Sequence, residues 1–343
     1  MSKKDLSVLK PKEFNLNSKT SLIYSNFKSY LEKFIKKEKF LIAVSGGSDS
    51  LALSALSKIY LNEKKNKFFF VLIDHGIRLN SSKEAKAVRS LLKKKKINLT
   101  ILKNKQKIKK NIQSHARKVR YKLLLNFCNK HKIKFILTGH HRDDQIETFL
   151  IRLSRGSGVQ GLSSMKKISS LNNKIRLIRP LLDEKKQDLI FLAKQYFGKI
   201  FKDPSNSNQK YLRTKIRSLI KKFEKSGIKQ DGIISSINNL GVTRDTLNTY
   251  VCRVEKDCVT KKKKEVSISL KIFLLENNEI QLKILSNCIK IVAKSYYPPR
   301  AKKIINLLVK VKSDKKLKAT LGGCIIQKIQ NNLIIYKEQL KKA

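Results

Sequence analysis

The sequence is poor in cysteine, in acidic residues and in long apolar runs. Its five cysteines are an odd number, are scattered along the chain and form no C-x-x-C pair, which argues against a disulfide framework and against a zinc or iron–sulfur site. No uncharged apolar run approaches the roughly 18 residues that a membrane helix needs. The first residues contain no apolar segment of the kind found in secretory signals. We therefore expect a cytoplasmic protein with no membrane association.

The scarcity of acidic residues makes the chain strongly basic. It has 25 acidic against 78 basic residues and a formal net charge of +53, which indicates a polyanionic partner, nucleic acid first and an anionic membrane surface second. An AT-rich genome would also enrich lysine, so the charge alone does not identify the partner. Only 14 of the basic residues are arginine, and nine of these lie between Arg117 and Arg217. Because arginine binds phosphate and carboxylate with a planar fork, this region is where we expect anions to bind.

Short apolar runs alternate with amphipathic stretches in the first half of the chain. The predicted strands are residues 40–44, 68–73, 97–102 and 135–138. The predicted helices are residues 48–61, 82–96, 114–131 and 143–154. Because the strands are continuously apolar rather than alternating, we expect an α/β fold with a doubly wound, mainly parallel sheet.

The rest of the chain predicts a second, smaller domain. A strand at 175–178 and helices at 184–197 and 211–223 complete the first domain, and Ser-Gly and Asp-Gly pairs mark a boundary near residue 225. Beyond the boundary the predicted helices are 233–257, 278–295 and 299–311, and the predicted strands are 266–270, 324–328 and 332–336. We therefore predict an N-terminal helical extension (1–36), a catalytic domain (37–224) and a helical linker followed by an α+β domain (225–343).

The sharpest motif is a Ser-Gly-Gly-Ser-Asp-Ser turn between the first predicted strand and the first amphipathic helix. Its residues are Ser45, Gly46, Gly47, Ser48, Asp49 and Ser50. It is not the P-loop with a Gly-Lys-Ser/Thr ending, because the lysine is absent. Two glycines nevertheless let the backbone approach a phosphate, and successive N–H groups at a helix N-terminus bind anions. A carboxylate such as Asp49 beside a triphosphate is suited to hold Mg²⁺.

A second cluster follows the strand at 135–138 and is acidic. Asp144 and Glu147 are three residues apart and share a helical face, while Asp143 can cap the helix. In a protein this basic, the acidic cluster suits a cation such as a lysine ammonium group or Mg²⁺. His140 and His141 with a carboxylate are an alternative metal site, although adjacent histidines at a strand end point in different directions.

Other candidate residues have two interpretations each. Asp74 ends the strand at 68–73, at the sheet edge where α/β ligands bind, but an aspartate also caps a strand end. Arg117 and Arg120 share one helical face and suit either phosphate or solvent. Arg155 opens an Arg-Gly-Ser-Gly segment that suits phosphate or is a plain turn.

The turn at 45–50 resembles the pyrophosphate loop of the N-type ATP pyrophosphatases, whose fold is adenine nucleotide hydrolase-like. Further motifs follow along the chain, namely Asp74-His75-Gly76-Ile77-Arg78 with Ser82 and Glu84, Asn111-x-Gln113-x-x-Ala116-Arg117-x-x-Arg120-Tyr121, Thr138-Gly139-His140-His141-x-Asp143-Asp144-Gln145-x-Glu147-Thr148, Arg155-Gly156-Ser157-Gly158, Gly161-Leu162, Arg179-Pro180-Leu181-Leu182, Asp203-x-Ser205-Asn206 and Arg213-x-x-x-Arg217. Together these motifs resemble one family in that group, the tRNA(Ile)-lysidine synthetases.

The resemblance implies a ligase that uses ATP and Mg²⁺. The wobble cytidine of a CAU-anticodon tRNA(Ile) would be adenylated with release of pyrophosphate, and free L-lysine would then displace AMP to give lysidine, which changes the codon read from AUG to AUA. The resemblance makes Asp49, Arg117, Asp144 and Glu147 the catalytic residues. It assigns ATP binding to the loop 45–50 with Asp74 and Arg155, metal binding to Asp49, lysine or Mg²⁺ binding to Asp143, Asp144 and Glu147, and tRNA binding to Arg213 and Arg217. A homodimer is compatible with the sequence.

Three other functions are open at this stage. Sulfur-inserting tRNA thiolases share the ATP loop but typically need paired cysteines, and here Cys128 is alone in the predicted α/β domain. Small-molecule amidotransferases with the same loop explain neither the charge nor the second domain. A basic RNA-binding protein without activity would require both motif clusters to be accidental.

Overall fold

The structure, a computed structural model, describes residues 17–64, 67–77, 80–104, 112–201, 212–295 and 298–338. Several motif residues lie outside the described residues, namely Arg78, Asn111, Asp203, Ser205 and Asn206, as does the side chain of Gln113. The chain divides into two compact units, residues 1–238 and 239–343. The predicted boundary near residue 225 lies in the turn before a long helix, and the division between the units falls inside that helix.

The first unit contains a sheet of six strands within the described residues, in the order β3-β2-β1-β4-β6-β5. The strands are β1 (Phe40–Val44), β2 (Phe68–Asp74), β3 (Leu99–Lys103), β4 (Phe135–Leu137), β5 (Ile168–Ser170) and β6 (Arg176–Ile178). The helices are α1 (Ser18–Phe34), α2 (Ser48–Glu63), α3 (Ser81–Lys94), α4 (Ile112–His131), α5 (Arg142–Leu153), α6 (Val159–Leu162), α7 (Lys186–Phe197), α8 (Leu212–Lys225) and the start of α9 (Gln230–Cys258).

Strand β1 lies at the point where the strand order reverses. It pairs in parallel with β2 on one side and with β4 on the other, so that Ile42 is level with Phe70 and with Leu137. Strand β6 is parallel to β4, and β5 runs antiparallel to β6 at the edge of the sheet. Because α/β sheets bind ligands where the order reverses, the expected site lies above the carboxyl ends of β1 and β4.

Successive residues of β1 are buried on opposite faces of the sheet. Ile42 belongs to the apolar cluster that includes Leu53 of α2, whereas Leu41 belongs to the cluster that includes Leu124 of α4. All four side chains are at most 1% exposed, and burial of such a side chain stabilises the fold by about 1.5–3 kcal/mol. Coverage of both faces confirms the doubly wound, mainly parallel sheet predicted from the continuous apolar runs.

The second unit is built on an antiparallel sheet in the order β7-β8-β11-β10-β9. Its strands are β7 (Val259–Lys261), β8 (Glu265–Ser269), β9 (Lys318–Leu321), β10 (Cys324–Ile329) and β11 (Asn332–Lys337), and its helices besides α9 are α10 (Leu270–Phe273), α11 (Asn278–Ala293) and α12 (Ala301–Ser313). A separate apolar core joins α11 and α12 to this sheet. The predicted α+β character of this region is confirmed. No helix in the described ranges has both the length and the apolar character needed to cross a bilayer.

Candidate active site at the ends of β1 and β4

The Ser-Gly-Gly-Ser-Asp-Ser turn is held closed by its own hydroxyl groups. Ser50 Oγ accepts hydrogen bonds from the Ser45 N–H and the Ser45 hydroxyl, both at 3.1 Å, and donates to the Gly47 carbonyl at 3.0 Å. Gly46 has a φ of +86°, which favours glycine. The turn leads directly into α2, whose first N–H groups have no partner inside the helix. The structure thus has a closed turn at the start of α2, and anion binding by this turn stays a prediction.

Gly139, after β4, lies directly against this turn. A Cβ atom at position 139 would be 2.7 Å from the Asp49 carbonyl oxygen and 3.1 Å from the Ser50 nitrogen. Such distances leave no room for a side chain because the neighbouring atoms are backbone. The end of β4 therefore brings the acidic cluster next to the turn at 45–50.

His141 joins the two motifs. Its ring is 1% exposed, and its Nε2 lies 3.5 Å from an Asp49 oxygen and 3.5 Å from an Asp144 oxygen. On the other side of the ring, Nδ1 lies 3.7 Å from Asp143. Burial favours the neutral ring, but the three carboxylates outweigh burial and raise the pKa of His141 to about 10. At neutral pH a buried imidazolium is therefore surrounded by Asp49, Asp143 and Asp144.

The same contacts act on the carboxylates. Burial would raise the pKa of Asp49, yet His141, the Ser48 hydroxyl at 2.8 Å and the charge of Lys186 hold that pKa below its usual value. Burial would also raise the pKa of Asp143, but His141 and Lys186 outweigh burial and lower that pKa. Both groups are therefore ionised at neutral pH.

His140 has the opposite character. Its Nδ1 lies 2.8 Å from the Thr138 hydroxyl. Burial and the charges of nearby arginines, Arg179 and Arg117 among them, lower its pKa to about 4 against the opposing effect of Asp144. The two neighbouring histidines thus contact different groups, as expected, and carry different charges at neutral pH.

Glu147 is buried and paired with α8. Its side chain is 1% exposed, and its Oε1 accepts a hydrogen bond from Arg217 Nε at 2.5 Å. Arg213 Nε lies farther away, at 4.0 Å. Arg217, predicted from the sequence as a tRNA contact, therefore faces an acidic residue of the site.

Asp74 lies at the end of β2, buried at the same edge of the sheet. Its oxygens accept hydrogen bonds from the Ser82 hydroxyl at 2.5 Å and from the Gly76 N–H at 3.1 Å. Burial would raise the pKa of Asp74, but these hydrogen bonds outweigh burial and lower that pKa. Both interpretations of Asp74 fit this geometry, since the residue caps the strand end and lies at the ligand edge.

Two predicted arginines are not brought into contact with the turn among the described residues. Arg117 is exposed on α4, with its guanidinium 5.0 Å from the centre of the Tyr121 ring. Arg155 lies past the C-terminal end of α5. It follows Asp144 by 11 residues, which corresponds to a rise of roughly 16 Å along the helix axis. The N–H groups of Arg155, Gly156 and Ser157 donate to carbonyls of α5. The roles of Arg117 and Arg155 stay predictions.

One local expectation was wrong, and two contacts were missed. His141 is the N-cap residue of α5, and Asp144 completes a capping box by accepting a hydrogen bond from the His141 N–H at 3.1 Å, so Asp143 is not the cap. The sequence did not predict the ion pair between Arg142 and Asp231 or the burial of Arg179, which donates to the Lys166 carbonyl at 2.6 Å. Both join segments distant in the chain, and no spacing pattern signals them.

A known domain family matches this part of the chain. The family ATP_bind_3, described as a PP-loop domain, matches residues 19–223. A tRNA(Ile)-lysidine synthase of Wolbachia pipientis wMel is 38% identical over 304 residues, which cover 87% of this chain and 70% of that protein. The chain belongs to the tRNA(Ile)-lysidine synthase family. A family member from Orientia tsutsugamushi (strain Boryong) is 36% identical over 315 residues, or 89% of this chain and 71% of that protein.

The fold extends beyond the lysidine synthase family. A solved U34-tRNA thiolase, NcsA from Methanococcus maripaludis with its [4Fe-4S] cluster, superposes with a TM-score of 0.55 at 18% identity, over 65% of this chain and 78% of that chain. At this identity the likeness shows a shared fold. In the present chain burial raises the pKa of Cys128 to about 12, so its thiol is protonated at neutral pH. Within the described ranges, no group of three or more His, Cys, Asp or Glu residues could hold a metal ion.

Proposed function

We propose that the protein ligates L-lysine to C2 of the wobble cytidine of a CAU-anticodon tRNA(Ile), converting the cytidine to lysidine and ATP to AMP and pyrophosphate. Family membership supports this reaction. The observation that carries the proposal is the contact of His141 with Asp49 and Asp144. This contact joins the turn at 45–50 to the acidic cluster, at the place where the strand order of the sheet reverses.

In the first step, the C2 oxygen of the cytidine attacks the α-phosphorus of ATP and pyrophosphate leaves. The turn 45–50 and the first N–H groups of α2 would bind the β- and γ-phosphates. Asp74 would lie beside the nucleotide, and Arg117, whose charge acts on His140 of the site, would balance the negative charge of the leaving group. Catalysis here consists mainly of positioning and charge stabilisation, as in other phosphoryl transfers.

Asp49 fits a magnesium ligand. Its partly exposed carboxylate is ionised and lies beside the turn at 45–50, and Mg²⁺ in such sites takes one or two carboxylates plus substrate phosphates. The ion would neutralise charge on the phosphates.

In the second step, the neutral ε-amine of lysine attacks C2, the bond from C2 to the adenylate oxygen breaks, and AMP leaves. Lysine arrives as an ammonium ion, so its charge would be recognised by Asp143, Asp144 and Glu147. A proton must leave the ammonium group before attack, and the carboxylates can assist that loss.

Exposed basic groups would hold the tRNA. Arg213 is 51% exposed on α8 and is free to reach a phosphate while Arg217 holds Glu147. We assign tRNA contacts to α8 and to the region after residue 225, through phosphate contacts for the most part. The compartment of this reaction would be the cytoplasm, and a homodimer stays a prediction.

Two variants test the separation of the steps. Asp49→Ala should abolish pyrophosphate release while tRNA binding survives, because the residue acts on ATP. Loss of both properties would make Asp49 structural.

Glu147→Gln should raise the KM for lysine or slow lysine transfer, with Glu38→Gln, an exposed ion-pair partner of Lys134, as the matched control. Unchanged lysine kinetics would remove Glu147 from the site.

A further inference from the structure

A cavity of about 600 Å³ opens beside α5, where the turn after α8 leads into α9. The residues that matter for its chemistry are Phe149, Ile228, Lys229, Asp231, Ile233 and Ser236. All belong to the first unit. We propose that this cavity binds a nucleobase of the RNA substrate, one or two positions from the base that reacts. The inference rests on the proposed function, which supplies the RNA.

The lining combines apolar surfaces with a polar edge. Phe149 offers an aromatic ring, and Ile228, 48% exposed, offers an apolar side chain to a flat ligand. Lys229 can donate a hydrogen bond, and Ser236, whose hydroxyl donates to the Gly232 carbonyl, can still accept one. Unpaired bases of RNA loops are recognised in this way, by stacking on aromatic side chains and by hydrogen bonds at their edges.

The charge around the cavity suits a polyanion. Lys221, Lys222 and Lys225 are exposed along the end of α8, and Lys229 continues this basic surface. The acidic residue of the lining, Asp231, forms an ion pair with Arg142, so its charge is balanced. A base in the cavity would therefore have cations for its flanking phosphates. The one exposed carboxylate on this end of α8, Glu224, accepts a hydrogen bond from Gln230 and is outnumbered by the lysines.

The position of the cavity fits a neighbour of the reacting nucleotide. Phe149 lies five residues after Asp144 on the same helix. This is a rise of roughly 8 Å, about two stacked nucleotide steps of roughly 3.4 Å each, and a turn of about 140° around the helix axis, so an RNA loop that reaches both would bend around α5. Arg142, which contacts Asp231 of the cavity, lies between His141 and Asp143 in the chain. One RNA loop could therefore reach both places.

The test couples a side chain to a base. Anticodon stem-loop RNAs that lack one base, at each loop position in turn, are titrated against the full-length protein and its variants without ATP or lysine. Phe149→Leu removes the ring but keeps apolar volume, and Phe149→Tyr keeps the ring. Phe191→Leu, at a 47% exposed aromatic residue on α7, is the matched control.

At one flanking position, base removal should weaken binding to the wild-type protein by roughly 5- to 100-fold. Phe149→Leu should weaken binding of the intact RNA similarly, with no further loss when that base is missing. Phe149→Tyr and Phe191→Leu should behave as wild type. Unchanged affinity in Phe149→Leu, or losses that multiply at every loop position, would overturn the proposal.

The folding state of the variant is followed by thermal unfolding. If Phe149→Leu melts early, Ile228→Ser replaces it in the same coupling test, since that side chain is half exposed. Because binding needs neither ATP nor lysine, a failure here leaves lysine transfer by the wild-type protein as a separate test of the proposed function.

Discussion

The charge of His141 determines how negative the acidic side of the site is at neutral pH. Three carboxylates surround the buried ring and keep it protonated, so one of their charges is balanced within the protein. Glu147 is balanced separately by Arg217. A lysine ammonium ion or Mg²⁺ would therefore meet a partly neutralised cluster, which can bind a cation and also release the product.

The two arginines of α8 should differ in their effect on stability. Arg217→Ala leaves the buried carboxylate of Glu147 without its near partner and should lower the free energy of unfolding by about 1–3 kcal/mol. Arg213→Ala, at 4.0 Å and largely exposed, should cost less than about 1 kcal/mol. Urea unfolding of both variants measures this difference. Equal losses would mean that the ion pair with Arg217 is not the stabilising contact.

The pH dependence of stability should include a contribution from His75. Both ring nitrogens are buried without a hydrogen-bond partner among the described residues, and burial, with the charge of Arg120, lowers the pKa of His75 to about 4. Between its ordinary pKa of 6.5 and 4, the unfolded chain takes up a proton that the folded chain does not. This contribution to stability is therefore lost as the pH falls through that range.

The substitution His75→Gln removes the titrating group. The urea midpoint of the variant should fall less than that of the wild type between about pH 7 and pH 4.5. His115→Gln, at an exposed position of α4, is the control and should follow the wild-type curve. Parallel curves for His75→Gln and the wild type would contradict the burial of His75.

Sequence motifs placed the carboxylates of the site but not their partners. Asp49 and Asp144 belong to short motifs, each directly after a strand that the sequence predicts. Because those two strands are parallel neighbours, both residues lie at the same edge of the sheet. Arg217 is 70 residues from Glu147, and its spacing indicated only a basic helical face. Which acidic group that face meets depends on how α8 packs on α5, and no local pattern encodes this.

At the scale of elements, the apolar runs were predictable, including the three-residue strands β4 and β6, but five other short elements were not. Strands β1 and β2 and helices α2 and α7 lie within two residues of the predicted bounds. Strands β5, β7 and β9 and helices α6 and α10 were missed. Each has only three or four residues, and the three strands all lie at sheet edges, where pairing rather than apolar content defines the strand.

The contact between the end of β4 and the turn after β1 should be essential for ATP use. Gly139→Ala would force a Cβ atom against the Asp49 backbone and displace the turn, because backbone cannot yield as a flexible side chain can. We expect a stability loss of about 1–3 kcal/mol and at least a roughly tenfold loss in kcat/KM for ATP. Gly241→Ala on α9, where an added Cβ would meet no atom closer than 3.8 Å and which lies outside the ATP motifs, is the control. Wild-type ATP kinetics in Gly139→Ala would contradict this packing argument.

At the scale of the whole molecule, a net charge of +53 should make RNA affinity steeply dependent on salt. The affinity for tRNA should fall at least about tenfold between roughly 50 mM and 200 mM salt. Lys221→Gln with Lys222→Gln on α8 should reduce the slope of log K against log salt by about 1–2 if both contact phosphates. The same change at Lys93 and Lys94 of α3 removes equal charge and should leave the slope unaltered. If both double variants changed the slope equally, the charge of the protein would act on RNA without specific phosphate contacts at α8.

The most direct test of the central claim is pyrophosphate release from ATP by the purified protein with an unmodified CAU-anticodon tRNA, with and without labelled L-lysine. The account predicts release that requires the tRNA and label that becomes covalently fixed to it. Binding of the tRNA without lysine incorporation, but with activity when a sulfur donor is added, would assign the site to thiolation instead. Absence of both activities would contradict the proposed chemistry and leave only a basic RNA-binding protein.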